Sequence, residues 1–429
     1  MDMICNKNVK TNEVLYYKKH PSGLNIYIMP RKGYSSSYAI FGTKYGSVDS
    51  EFIVPGENSP TRVPDGIAHY LEHKLFDQPD GTNVFDSFSK LGGNANAFTS
   101  FNMTAYLFSA TSNFCENLKV LMDYVQKPYF TAESVQKEQG IIGQEINMYD
   151  DNPDWRVFFN LLSCLYQNNP VKIDIAGTID SISKIDNELL YKCYNTFYNL
   201  SNMTLFLTGD FDVNEVFEVV NNSILNNNPF DEEIKRIYPD EPKEIAKKKK
   251  EVNLSVSTPM FMIGFKDNDC GYGGDKLLKK TIEIEILHKI IFSKSSPLYE
   301  KLYNDGLINP PFSSEYTHQI DYGYSAIEGQ SKNPQKVYDE IIKYIDELKQ
   351  NGLDEEDFIR SKKAIWGKYI RSYNNIEDFA HQFLSDSFVD IDYFKYYDIY
   401  KTVIFEDVKK RFLEHFDKNY SAISIVNPV

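Results

Sequence analysis

Within a chain of 429 residues, His69-Tyr70-Leu71-Glu72-His73 sets two imidazoles four positions apart with a carboxylate just before the second. On a helix advancing about 100° per residue, His69, Glu72 and His73 share one arc of roughly 100°. Two neutral imidazoles on that arc can grip a zinc ion from one side, and Glu72 then lies beside the metal to take a proton from bound water. The order is the reverse of the HExxH helix and the chemistry is the same. Two histidines leave zinc short of a third protein ligand, and a catalytic site keeps its fourth position for water. The best donors downstream are Glu138 and Glu145, seven residues apart in EQGIIGQE, so on a helix both point the same way. One would bind the metal and the other would hydrogen-bond a ligating histidine. Helical geometry alone leaves open which does which.

Other candidate residues lack such a pattern. Glu283, Glu285 and His288 offer no two-histidine grip and read as part of an ordinary amphipathic helix. His318 and His381 are isolated in sequence, and the tyrosine-rich tract 393–400 reads as core. Cys5, Cys115, Cys164, Cys193 and Cys270 are odd in number and form no CxxC pair, which predicts reduced thiols in a cytosolic protein.

The elements that must carry the motif follow from pattern. Leu24–Met29 and Tyr38–Tyr45 read as strands. A Pro/Gly-rich loop then leads to a helix in which Ile67, Leu71 and Leu75 recur at helical spacing, with Asp65 as its expected N-cap. A second helix, Val84–Leu91, stops at Gly92-Gly93, and strands Asn96–Ser100 and Thr104–Ala110 follow. Helices at Phe114–Tyr124 and Ala132–Met148 close the series. The polar stretch 226–250, with three prolines and a terminal run of lysines, reads as an interdomain linker with a solvated charge run. Beyond it the order helix, helix, glycine, two strands, helix, helix returns, which predicts an internal duplication with a period of roughly 200 residues. The expected organisation is 1–225 as a zinc-bearing domain, 226–250 as linker and 251–429 as a second domain without the motif. The fold class is α+β, each domain a sheet with helices packed on one face.

Composition bounds the function. The 46 basic and 61 acidic side chains give a net charge of −15, which argues against nucleic acid or an anionic membrane as the main partner. An apolar content of 42% is ample for large cores, so disorder is excluded. There is no window of 18 consecutive apolar residues and no basic start followed by an apolar stretch, so a soluble, cytoplasmic protein is expected.

GIAHYLEHKLF (66–76), GGNANAFTSFNMTAY (92–106) and EQGIIGQEINMYDDNPDW (138–155) together resemble the insulinase/pitrilysin family of zinc metallopeptidases, the inverzincins, and within it a bacterial YmfH-like group. The resemblance covers essentially the whole chain and is most specific over residues 60–180. It implies two homologous α/β-sandwich domains forming a half or whole clamshell, with one Zn²⁺ per chain and peptide hydrolysis. By the family pattern His69, His73 and Glu145 are the zinc ligands and Glu72 is the general base. Glu138 is the carboxylate behind a ligand, and Asn96, Ala97, Phe98 and Thr99 form an edge strand that pairs with substrate backbone. An exposed strand edge suits that task, because its unpaired N–H and C=O groups capture an extended peptide whatever its side chains.

The family's second domain usually supplies an Arg and a Tyr that hold the substrate and developing oxyanion. Here the matching text, LYEKLYNDGLINPPFSS (298–314), offers Tyr303 and Asn309, and no arginine occurs between Arg236 and Arg360. The expectation is therefore a zinc endopeptidase or oligopeptidase that needs a partner, a paralogous subunit supplying Arg and Tyr in a heterodimer, or a second copy in a homodimer. The alternatives are a non-catalytic peptide-binding or scaffold subunit, and a zinc hydrolase acting on a non-peptide amide.

Overall fold

The computed structural model describes residues 3–8 and 11–429. They form two compact units, Met1–Ile146 with Asp174–Tyr238 and Ser372–Ser385, and Asn147–Ile173 with Pro239–Arg371 and Asp386–Val429.

The chain opens with β1 (Ile4–Lys7), β2 (Val14–Lys19), β3 (Asn25–Pro30) and β4 (Ser37–Thr43), then the short strands β5 (Glu51–Ile53) and β6 (Thr61–Arg62). Helices α1 (Ile67–Lys74) and α2 (Val84–Leu91) lead into the hairpin β7 (Gly93–Thr99) and β8 (Thr104–Ala110). Next come α3 (Phe114–Val125), α4 (Ala132–Asp150), α5 (Pro153–Leu165), α6 (Ile179–Ile182) and α7 (Asn187–Phe197). They are followed by β9 (Met203–Gly209), α8 (Val213–Ser223) and β10 (Lys235–Arg236). The rest comprises β11 (Lys249–Leu254), β12 (Met260–Lys266), α9 (Gly274–Phe292), α10 (Pro297–Asn304), β13 (Phe312–His318) and β14 (Gly323–Gln330). It ends with α11 (Pro334–Asn351), α12 (Glu355–Ser372), α13 (Ile376–Phe388), α14 (Tyr396–Thr402), α15 (Phe405–His415) and β15 (Ser421–Pro428).

The first unit's sheet runs β1-β2-β3-β9-β4-β8-β7, and the second's runs β11-β15-β12-β14-β13. Five strands of the first repeat the second in order and direction: β3 pairs parallel with β9 as β11 does with β15, and the remaining neighbours are antiparallel in both. The two units thus share one strand order and one pairing pattern. Strands β4 and β9 are buried along their whole length, as their apolar text (SYAIFGT, MTLFLTG) requires of central strands. Strand β7 ends the sheet, so among the described residues one side of its backbone has no strand partner.

The division departs from a split at 226–250 for two physical reasons. Helix α5 buries Leu161, Leu162 and Leu165 in the second unit, where a Cβ on Gly264 of β12 would fall 2.8 Å from Leu165 Cδ1. Residues 372–385 pack in the first unit, where a Cβ on Gly42 of β4 would fall 2.6 Å from Leu384 Cδ2 and Phe383 lies against Phe206 and Tyr27. The two glycines are equivalent in register: Gly42 pairs with Ala105 and Thr204, and Gly264 with Ala326 and Ala422. Each sheet therefore seats a leucine-bearing helix from elsewhere in the sequence on a strand residue with no side chain.

The expected linker is also pinned rather than loose. Strand β10 pairs with β5, and the Glu241 carboxylate accepts the backbone N–H groups of Gln167, Asn168 and Asn169 and holds Lys266. The lysine run stays mostly exposed, with Lys249 and Lys250 opening β11. Among the described residues no helix is long and apolar enough to cross a membrane. A side chain at Gly264 would overpack the seat of α5, so Gly264→Val should lower unfolding stability by about 1–3 kcal/mol, read as a lower urea midpoint at unchanged slope.

Candidate metal centre

Helix α1 starts where two loops meet. The expected Asp65 cap is not used; instead Gly66 precedes the helix at φ 91°, a left-handed conformation that favours glycine, and a Cβ there would meet the Ala176 carbonyl oxygen at 2.4 Å. The Asp65 carbonyl instead accepts the Ser181 hydroxyl at 2.8 Å. Tyr70 points from the other side of α1 and donates its hydroxyl to the Val135 carbonyl in the first turns of α4. That bond ties the two helices that carry the candidate ligands.

Across this pairing His69, His73 and Glu145 bring ligand atoms within 4.8 Å of one another. His69 Nε2 lies 3.8 Å from Glu145 Oε1, and His73 Nε2 lies 3.4 Å from Glu145 Oε2. Ligand atoms of a tetrahedral zinc at its usual bond lengths are separated by about 3.4 Å; the two His–Glu145 distances are close to that, and the widest pair, up to 4.8 Å, closes further on binding. Glu138 accepts from His73 Nδ1 at 3.0 Å, which aims the Nε2 lone pair at the same point. Glu145 thus lies near both Nε2 atoms, while Glu138 contacts His73 through Nδ1.

Burial sets the charges. His69 is almost enclosed, and desolvation, then the neighbouring His73, push its pKa down to about 3, so it is held neutral. Burial opposes charge on His73 as well, but its hydrogen bond to Glu138 and the nearby Glu72, Glu145 and Glu138 carboxylates outweigh it and raise its pKa. For Glu138 burial favours the acid, and the bond to His73 with the nearby His73 and Lys74 charges overcomes it and lowers the pKa. Glu72 is raised by burial, which the Thr99 hydroxyl partly offsets.

The four edge-strand residues lie on β7 and serve different ends. Asn96 accepts from the Ala97 backbone N–H at 2.9 Å, while Thr99 turns inward and donates to Glu72 Oε2 at 2.7 Å. Phe98 stacks on His381 with ring centroids 5.0 Å apart, and His381 Nε2 lies 2.7 Å from the Tyr38 hydroxyl. His381, isolated in sequence, thus braces the edge strand. It lies 283 positions beyond Phe98, and no local pattern announces the contact. In the second unit Glu283 bonds Arg411, and His288 bonds Ser325 at 2.7 Å. Tyr303 and Asn309 are both exposed, with Tyr303 stacked on Tyr299.

The sequence and the fold are shared with known proteins. Residues 56–179 match the family model described as insulinase (peptidase family M16), and residues 184–365 match the peptidase M16 inactive domain. The chain is 43% identical over 399 residues, 92% of each sequence, to the protein named uncharacterized zinc protease YmfH of Bacillus subtilis. It belongs to the insulinase family, peptidase family M16. A crystal structure of an M16-like peptidase from Alicyclobacillus acidocaldarius superposes with a TM-score of 0.93 at 33% identity, covering 98% of this chain and all of that one. Pitrilysin shares the fold, at TM-score 0.78 and 15% identity, with this whole chain covering 46% of it.

Proposed function

We propose that the chain is a zinc-dependent endopeptidase that cleaves extended peptides. The observation carrying this reading is the convergence of His69 Nε2, His73 Nε2 and a Glu145 carboxylate beside the buried carboxylate of Glu72. His69, His73 and Glu145 would hold one zinc ion, which would supply a lowered pKa for a bound water and a Lewis acid for the scissile carbonyl. Glu138 keeps His73 oriented through Nδ1. An extended peptide adds to the open edge of β7 at Asn96–Thr99, so that backbone hydrogen bonds fix its course. Glu72 takes the proton of the attacking water and delivers it to the nitrogen of the breaking amide bond, leaving a carboxylate and an amine.

Replacing Glu72 by Gln should leave zinc bound and abolish peptidase activity against a quenched-fluorescence peptide library; turnover at the native rate excludes Glu72 as base. Glu138→Gln should weaken zinc binding by about 10–100-fold, measured by competition with a chromogenic chelator, because His73 loses its orienting carboxylate.

The second half bears on partners. With Tyr303 and Asn309 where the family places its substrate-holding pair, and no arginine between Arg236 and Arg360, that stretch of the chain offers no guanidinium to the developing oxyanion. We infer that a paralogous subunit carrying Arg and Tyr completes the site. The same missing arginine favours a second reading, a non-catalytic peptide-binding subunit. Mixing the purified chain with such a paralogue should raise kcat/KM at least about tenfold over either alone, with the gain abolished by Glu72→Gln. Full activity of the single chain excludes the need for a partner, and a mixture that stays inactive but binds peptide supports the second reading.

A further inference from the structure

The hydroxyl of Thr99 donates to one oxygen of Glu72, Oε2, at 2.7 Å. A threonine hydroxyl has one hydrogen to give, and two acceptors lie within reach of it. Thr104 Oγ1, 3.3 Å away, donates its own hydrogen to the Tyr45 carbonyl at 2.9 Å, so toward Thr99 it can only accept. The Glu72 carboxylate, nearer by 0.6 Å and a stronger acceptor when ionised, is the preferred partner of the Thr99 proton. Its backbone is held stiffly. Ser100 N–H donates to Met103 O at 2.8 Å across the turn that follows, and the Ser100 and Phe101 carbonyls accept the N–H groups of Ser47 and Val48 at 3.1 and 3.0 Å. On the other face of the strand, Phe98 lies against His381.

The second unit supplies an internal control. Starting from Gly42 and Gly264, the registers make Thr104 equivalent to Ser325, Thr99 to Tyr316 and Tyr45 to Asp267. There, with no His-x-x-Glu-His helix to serve, the side chain at the Thr99 position is Tyr316, and its hydroxyl goes to Asp267 at 2.5 Å. The short hydroxyl aimed at a helix carboxylate is found where that carboxylate sits in a metal-type motif.

We infer that Thr99 is a positioning residue for Glu72. Its hydroxyl fixes Oε2 so that Oε1 is the atom presented to the attacking water, and the edge strand that captures a peptide through its backbone also sets the carboxylate. The inference deepens the peptidase reading and rests on it for the role of Glu72. Valine keeps the shape and strand preference of threonine and removes the hydroxyl, whereas serine restores it.

With zinc present, Thr99→Val should lower kcat about 10–100-fold while KM stays within about threefold and zinc content is unchanged, and Thr99→Ser should recover most of the loss. A rise in KM alone, loss of zinc, an unchanged kcat or failure of serine to rescue each overturns the inference. Urea unfolding of the zinc-stripped protein adds a readout that needs no activity. In a double-mutant cycle with Glu72→Ala, the cost of Thr99→Val should vanish when Glu72 is absent, and an undiminished cost overturns the pairing. Native-like activity of Glu72→Gln would instead sink the assignment of the base, while the unfolding cycle still decides whether Thr99 and Glu72 are coupled.

Discussion

Five ionisable side chains, His69, Glu72, His73, Glu138 and Glu145, are gathered where α1 faces α4, and His69 and Glu72 are buried. Removing such groups from water is costly unless each finds a partner, and a cluster holding three carboxylates and two imidazoles has an excess of negative charge to balance. The Tyr70 bond that joins the two helices, the left-handed start at Gly66 and the turn after Thr99 all hold that cluster together. A dication at the point faced by both Nε2 atoms is the counter-charge that the geometry accommodates.

The second unit answers a similar requirement without such a point. At the position equivalent to Tyr45 it places Asp267, buried and paired with Lys280 at 2.9 Å. Arg411 joins Asp269 and Glu283 with contacts of 2.8 and 3.0 Å. The positive charge comes from side chains there, so the buried carboxylates are satisfied within the chain itself. Ser325, between His288 and His415 at 2.7 Å from each, takes the register place of Thr104. One topology has thus been filled twice, once around ligand-type atoms of His69, His73 and Glu145 that lie within 4.8 Å of one another and once around fixed ion pairs.

Much of this was legible in the sequence, and what was not shares one physical cause. The helix at Val84–Leu91 and strand Thr104–Ala110 match the pattern-based bounds because glycine and periodicity are local signals. The motif at 69–73 and the pair at 138 and 145 were visible because helical spacing is a short-range property. The contacts of His381 with Phe98 and Tyr38, the central places of β9 and β15, and the pinning of 226–250 by Glu241 all join residues far apart in sequence. Asp65 was misjudged as a cap because Gly66 can adopt a backbone conformation that removes the need for one.

The seats at Gly42 and Gly264 bear on how such a chain could arise and persist. The polypeptide passes from one unit to the other five times, at 146–147, 173–174, 238–239, 371–372 and 385–386. A duplicated gene whose products each kept their own helices could later be split into two genes. Here, a fragment ending at 225 would carry α5 with Leu161, Leu162 and Leu165 stripped of the sheet they cover, and would lack the helix that lies on Gly42. Each unit thus takes into its core a helix from beyond its own half of the sequence, and a cut at 225 would part both helices from the sheets they cover.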